Sequence, residues 1–158
     1  MNKIRTIEAG NDVNDSHIAI VSSRYNNHIV DRLLNGCLAT LNARGVNSSS
    51  IILVKVPGAF EIPVAARKLA EQGRYDAIIT LGAVIRGETP HFDFIADACS
   101  TGIANIAADF SLPVIFGVLT VDHVQQALDR SGDEESNKGS EAARAALDMI
   151  SIMKKIGS

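Results

Sequence analysis

The segment Arg86-Gly87-Glu88-Thr89-Pro90-His91-Phe92-Asp93 gathers a guanidinium, two carboxylates, a hydroxyl and an imidazole into one short stretch. His91 is the group best suited to chemistry there, because an imidazole changes charge near neutral pH and can both take and give a proton. A lone histidine is more often structural or merely solvated, so His91 needs its context to count. Gly87-Glu88-Thr89 lies just before a helix start, where backbone N–H groups, a threonine hydroxyl and the helix dipole suit a phosphate. It is neither a P-loop nor a G-x-G-x-x-G fingerprint, and Glu88 opposes a strongly positive site unless its side chain turns away. Two further cations, Arg130 and Lys138, flank a charged stretch at 131–137. Taken singly, Arg130 reads as a cation favoured by the dipole at a helix C-terminus and Lys138 as an exposed loop charge. His17, His28 and His123 have weaker surroundings and receive no role.

These groups need elements to hold them. Short apolar runs predict strands at 17–22, 51–56, 76–82 and 113–119. Amphipathic spacing predicts helices at 27–43, 62–72, 92–110, 124–130 and 139–156. In the first helix Ile29, Leu33, Leu34, Cys37, Leu38 and Leu41 share one face, and Gly45 fits its C-cap. Pro63 falls in the first turn of the second helix and Gly73 at its end. The near-continuous apolar third strand implies burial on both faces. Strand–helix alternation predicts an α/β fold: a three-layer α/β/α sandwich around a central four-stranded parallel sheet, with right-handed crossovers. Residues 1–16 read as a polar tail and 17–158 as one domain. The alanine-rich face of the last helix (Ala142, Ala143, Ala145, Ala146) suits close approach of another helix, within the domain or between subunits.

Ligands of a parallel sheet bind at the carboxyl ends of its strands, and the unusual residues fall there. Ser23-Arg24-Tyr25-Asn26 follows the first strand, Gly58-Ala59-Phe60-Glu61 the second, and the 86–93 segment the third, while the fourth carries Phe116. Of five Phe and two Tyr, Tyr25, Phe60, Phe92, Phe94 and Phe116 cluster near this rim, where rings can stack on a planar ligand. Phe94 and Phe116 fit a core position equally well.

Composition excludes several classes. The 158-residue chain is 46% apolar and 21% charged, with a net charge of −3. That balance gives no broad attraction for nucleic acid or anionic membranes. No run approaches the roughly 18 apolar residues of a membrane helix, and the polar start lacks a signal-peptide core. The expected location is cytoplasmic. Cys37 and Cys99 stand apart in apolar stretches, so reduced buried thiols are expected and no metal site.

Several motifs occur in order: Gly58-Ala59-Phe60-Glu61-Ile62-Pro63, the run from Gly82 to Asp93, Phe116-Gly117-Val118-Leu119-Thr120, Gln126-Ala127 to Arg130, and Asn137-Lys138-Gly139. Together they resemble the 6,7-dimethyl-8-ribityllumazine synthase family over 18–156. The resemblance implies a flavodoxin-like fold. It implies the penultimate step of riboflavin biosynthesis: condensation of 5-amino-6-(ribitylamino)uracil with 3,4-dihydroxy-2-butanone 4-phosphate through a Schiff base, loss of phosphate and ring closure with loss of water. No metal and no organic cofactor is implied.

By the same resemblance, Tyr25 takes the place of an aromatic that stacks on the pyrimidine, where Phe or Trp is commoner, with Asn26 beside it. Ala59, Phe60 and Glu61 match the ribityl-binding segment, and Val84 and Ile85 match residues that bind the pyrimidine edge through their backbone. Glu88 and Thr89 match the phosphate turn and His91 the proton-transfer histidine. Phe116, Arg130 and Lys138 would come from a neighbouring subunit, with Arg130 gripping phosphate.

The implied assembly is a homopentamer with interfacial sites, its N-terminal tail adding a strand to a neighbour's sheet, and riboflavin synthase is a candidate partner. Family members that build sixty-subunit shells tend to carry Gly-x-Lys-x-Gly between the last two helices. Here Gly132-Asp133-Glu134-Glu135-Ser136 lacks the lysine and the second glycine, which predicts a free pentamer. A non-catalytic flavin or lumazine carrier on the same scaffold is the alternative, but it would not need His91 and Arg130 together. A flavodoxin-like electron carrier would want a glycine-containing phosphate loop after the first strand, which Ser22-Ser23-Arg24-Tyr25-Asn26 does not supply.

Overall fold

A computed structural model describes residues 3–158. The chain runs β1 (Ile18–Ser23), α1 (Asn27–Ala43), β2 (Ile51–Val56), α2 (Ile62–Glu71), β3 (Ala77–Ile85), α3 (His91–Phe110), β4 (Val114–Val121), α4 (Val124–Asp129) and α5 (Lys138–Ile156). Single 3-10 turns occupy Ser48–Ser50, Ala59–Glu61 and Glu134–Ser136. The four strands form one parallel sheet in the order β2-β1-β3-β4. The α/β sandwich expected from strand–helix alternation is therefore the fold.

Alternation along the strands divides the core into two layers. Ile18, Ile20, Ile79, Leu81 and Ala83 point to one face and pack with α1 and α5. Ala19, Val21, Ile78, Val114 and Val118 point to the other and pack with α2 and α3. Helical spacing places Ile29, Leu33, Cys37 and Leu41 of α1 wholly out of water, each worth about 1.5–3 kcal/mol on burial for the aliphatic members. Of the alanine face of α5, Ala142, Ala143 and Ala146 are buried within the chain, while Ala145 is half-buried. Gly139, at the start of α5, lies against the Leu33 backbone, where a side chain has no room.

The third strand is buried on both faces as expected, but it runs to Ile85 rather than ending at Gly82. The reason is pairing: β4 continues beside it, with Ile85 opposite Val121 and the Arg86 N–H donating to the Val121 carbonyl at 2.9 Å. α3 begins one residue earlier than its apolar pattern suggests, which places His91 in its first turn. Residues 3–16 hold neither helix nor strand. They are nonetheless tied down: Val13 is fully buried, the Gly10 N–H donates to Ser151 Oγ at 2.8 Å, and Lys155 Nζ donates to the Glu8 carbonyl at 2.6 Å. Among the described residues no helix is long and apolar enough to cross a membrane.

Candidate active site

The sheet reverses direction of growth at β1, since the chain adds β2 on one side and β3 on the other. Loops diverge at such a switch point and leave a crevice above the strand ends. A cleft of about 420 Å³ lies there, lined by Tyr25, Gly58, Ala59, Phe60, Glu61, His91 and Ile95. Its walls are fixed by backbone bonds. The Arg24 and Tyr25 N–H groups donate to the Pro57 carbonyl at 3.1 and 3.0 Å, which ties the end of β1 to the end of β2. Gly58 packs under the Tyr25 ring; a Cβ there would lie 2.6 Å from Tyr25 Cδ2. Tyr25 and Phe60 remain 68% and 59% exposed, so two rings stand open over the cleft.

Glu61 acts locally. Its Oε2 accepts the Gly58 N–H at 3.1 Å and closes the Ala59–Glu61 turn. Asn26 adopts a left-handed conformation (φ 60°, ψ 41°) at the start of α1, and its Nδ2 donates to the Ala83 carbonyl at 2.9 Å. That bond defines the open edge of β3. β1 accompanies β3 only as far as Leu81, so the last residues of β3 have a free edge on that side. Successive residues of a strand turn their backbone groups to opposite edges. Ala83 faces the free edge and so does Ile85, whose N–H and C=O form an adjacent donor and acceptor suited to a planar amide. Val84 directs its backbone to β4, opposite Thr120, and its side chain to the α2/α3 layer. The two residues expected to act alike are thus divided by the pleat.

The 86–93 segment is a clamp as well as a turn. Arg86 Nε donates to Asp122 Oδ1 at 2.9 Å, its Nη2 lies 3.3 Å from Asp93 Oδ1, and its guanidinium stacks 4.3 Å from the Phe92 ring centroid. Hydrogen bonds that Arg86 donates, to Asp122 first and then to Asp93, push its pKa further up. Asp93 is in the first turn of α3 and also pairs with Arg86. Thr89 Oγ1 accepts the His91 N–H at 3.4 Å. Glu88, Thr89 and His91 are all exposed. The single guanidinium of the segment is therefore consumed by two carboxylates, and the turn beside Glu88 has no free cation of its own.

The remaining candidates lie elsewhere. Phe116, Arg130 and Lys138 line a second cleft of about 400 Å³ between the outer edge of β4 and α5, together with Glu141, Ala142 and Ala145. It shares no lining residue with the first. Phe116 is 43% exposed and Phe94 71%, so neither is core. Arg130 caps α4, its Nη1 donating to the Gln126 carbonyl at 3.0 Å. Lys138 Nζ meets Glu141 Oε2 at 2.9 Å. The two cations are neighbours because the Lys138 N–H donates to the Arg130 carbonyl at 2.8 Å and Ser131 bridges to Asn137, pinching the intervening loop at its base.

Sequence reasoning passed over Asp122, which needs a partner far along the chain, and Asn137, whose side chain caps α5 by accepting the Gly139 and Ser140 N–H groups. The signal for Asn137 was present, since Asn ahead of an amphipathic run is an N-cap pattern.

A sequence model of the 6,7-dimethyl-8-ribityllumazine synthase family matches residues 15–154. That span takes in every strand, both clefts and nearly all of α5. The chain belongs to the 6,7-dimethyl-8-ribityllumazine synthase family, transferase enzymes of the riboflavin pathway.

Proposed function

We propose that the protein condenses 5-amino-6-(ribitylamino)uracil with 3,4-dihydroxy-2-butanone 4-phosphate, giving 6,7-dimethyl-8-ribityllumazine, phosphate and water, in a site shared between two copies. The observation that carries this reading is the division of the chemistry. The rim cleft holds the open rings and His91, and Arg86 in the adjoining turn is paired with Asp122 and Asp93; the β4 cleft holds Arg130, Lys138 and Phe116. Docking one copy's β4 edge against another's rim joins the two sets.

Each part then has a task. Tyr25 stacks on the pyrimidine, and the Ile85 backbone pair meets its amide edge. The Ala59–Glu61 turn borders the ribityl chain. Thr89 and the α3 N-terminus receive the phosphate, with Arg130 of the second copy supplying the planar fork that Arg86 cannot. The substrate amine attacks the ketone to form the imine with loss of water; phosphate leaves; the second amine closes the ring with loss of water. His91 carries protons among these steps. Much of the acceleration comes from holding two reactants in one geometry. The assembly is a free homopentamer in the cytoplasm, its tail adding a strand to a neighbour at the exposed β2 edge, and it hands product to riboflavin synthase.

The test is to supply both substrates and follow lumazine absorbance with phosphate release. Equal yields of both above the spontaneous rate are expected, and no excess rate overturns the reading. Light scattering should give the mass of five subunits; a sixty-subunit mass contradicts the free pentamer.

A further inference from the structure

We propose that Asn137, assisted by Arg32, is a positioning residue that sets the spacing of Arg130 and Lys138 and thereby the affinity for the phosphate-bearing substrate; this rests on the function proposed above. Asn137 is only 5% exposed although its two neighbours in the motif are a lysine and a glycine. Its carboxamide makes four hydrogen bonds that connect three parts of the chain. Oδ1 accepts from the Gly139 and Ser140 N–H groups at 2.8 and 3.1 Å and caps α5. Nδ2 donates to the Arg32 carbonyl of α1 and to the Gly132 carbonyl of the loop, both at 3.1 Å.

The surroundings are built around that side chain. A Cβ on Gly36 would lie 2.5–2.7 Å from the Asn137 carboxamide, so α1 leaves a notch for it. Arg32 approaches from the same helix, and its Nε donates to the Ser131 carbonyl at 2.9 Å. Ser131 Oγ in turn donates to the Ala127 carbonyl at 2.8 Å, in the last turn of α4. α1 is the fixed member here, since its inner face is in the core. The tethers therefore hold the end of α4, which carries Arg130, and the start of α5, which carries Lys138, against one rigid support. Neither Asn137 nor Arg32 lines the β4 cleft. They act through the two cations, and a planar guanidinium grips phosphate well only when its fork is aimed.

Asn137→Ser tests this, because serine keeps an N-cap acceptor for α5 while removing both donations to α1 and the loop. Arg32→Met is the second variant; it removes the bond to Ser131 from an exposed side chain and leaves the cap intact. The readouts are both KM values, kcat, and binding of inorganic phosphate followed by 31P NMR. KM for the butanone phosphate should rise roughly tenfold for Asn137→Ser, which loses two hydrogen bonds, and a few-fold for Arg32→Met, which loses one. KM for the pyrimidine should stay within twofold, and phosphate binding should weaken in parallel with the first KM. Unchanged phosphate binding, or equal loss for both substrates, overturns the proposal and leaves Asn137 a helix cap. If wild-type protein binds phosphate but turns nothing over, the reaction assigned above fails, while the phosphate comparison between wild type and variants still decides the positioning role.

Discussion

The two clefts solve different problems with different means. The rim cleft is shaped by backbone: a glycine under a ring, a carboxylate closing a 3-10 turn, and a strand that outruns its neighbour. Its rings and imidazole lie open. The β4 cleft depends on a loop pinched by backbone bonds and braced by a buried carboxamide, which bring Arg130 and Lys138 to one cleft. The first can recognise a flat, nearly neutral heterocycle, the second an anion. On the proposed function Tyr25 serves the heterocycle and Arg130 the phosphate, so losses at these two positions should separate by substrate.

His91→Ala should produce the largest effect. kcat should fall by about 10²–10⁴, the usual worth of a positioned acid–base group, while both KM values stay within twofold. A matching loss of substrate binding in titration calorimetry would instead make His91 a structural residue. Arg130→Ala should come next and look different. A charge-assisted bond is worth about 1.5–3 kcal/mol, so KM for the butanone phosphate should rise roughly ten- to a hundredfold with the pyrimidine KM unchanged. If both KM values rose together, the division between clefts would be wrong. Gly58→Ala should be milder and reversed in its selectivity. The new methyl group displaces the Tyr25 ring, and the pyrimidine KM should rise roughly threefold, about the value of an aromatic contact; the phosphate-bearing substrate should be indifferent.

The smallest effect concerns the layers beneath the clefts. Cys37 lies in the α1/α5 layer and Cys99 in the α2/α3 layer. Burial pushes their thiols up from 9.0, Cys37 to about 12 and Cys99 to about 11. A folded-state pKa above the unfolded one stabilises the protein below the unfolded value and loses that contribution as pH rises through the folded value. Urea midpoints should therefore fall as pH rises above about 9 in wild type. The fall should flatten in Cys37→Ala more than in Cys99→Ala, and equal slopes in all three proteins would contradict the assignment.

The fold was legible because the chain is locally consistent. Short apolar runs and helical apolar spacing give the strands and helices to within a few residues, and Pro63, Gly45 and Gly73 punctuate them where the backbone requires. Strand-end logic also located the rim residues. What stayed hidden depends on neighbours in space. β3 continues past Gly82 because β4 is beside it, which no local pattern announces. Arg86 reads as free in a list of residues, yet Asp122 and Asp93 neutralise it. Glu61 reads as a ligand group and is occupied by the Gly58 N–H. Val84 and Ile85 look equivalent until the pleat separates them. The nearness of Arg130 and Lys138 follows from a loop closed on itself and fastened to α1.

On the proposed function, one working site needs the rim of one copy and the β4 edge of another. Co-expression of His91→Ala with Arg130→Ala, assayed at butanone phosphate far below its wild-type KM so that each variant alone is strongly impaired, tests it directly. In mixed oligomers a given interface draws its rim from an Arg130→Ala subunit half the time and its edge from a His91→Ala subunit half the time. Activity should therefore return to about a quarter of wild type for a ring of equivalent heterologous interfaces. If the mixed protein stays as inactive as either variant, both residues serve one site within a single chain, and the shared site is wrong.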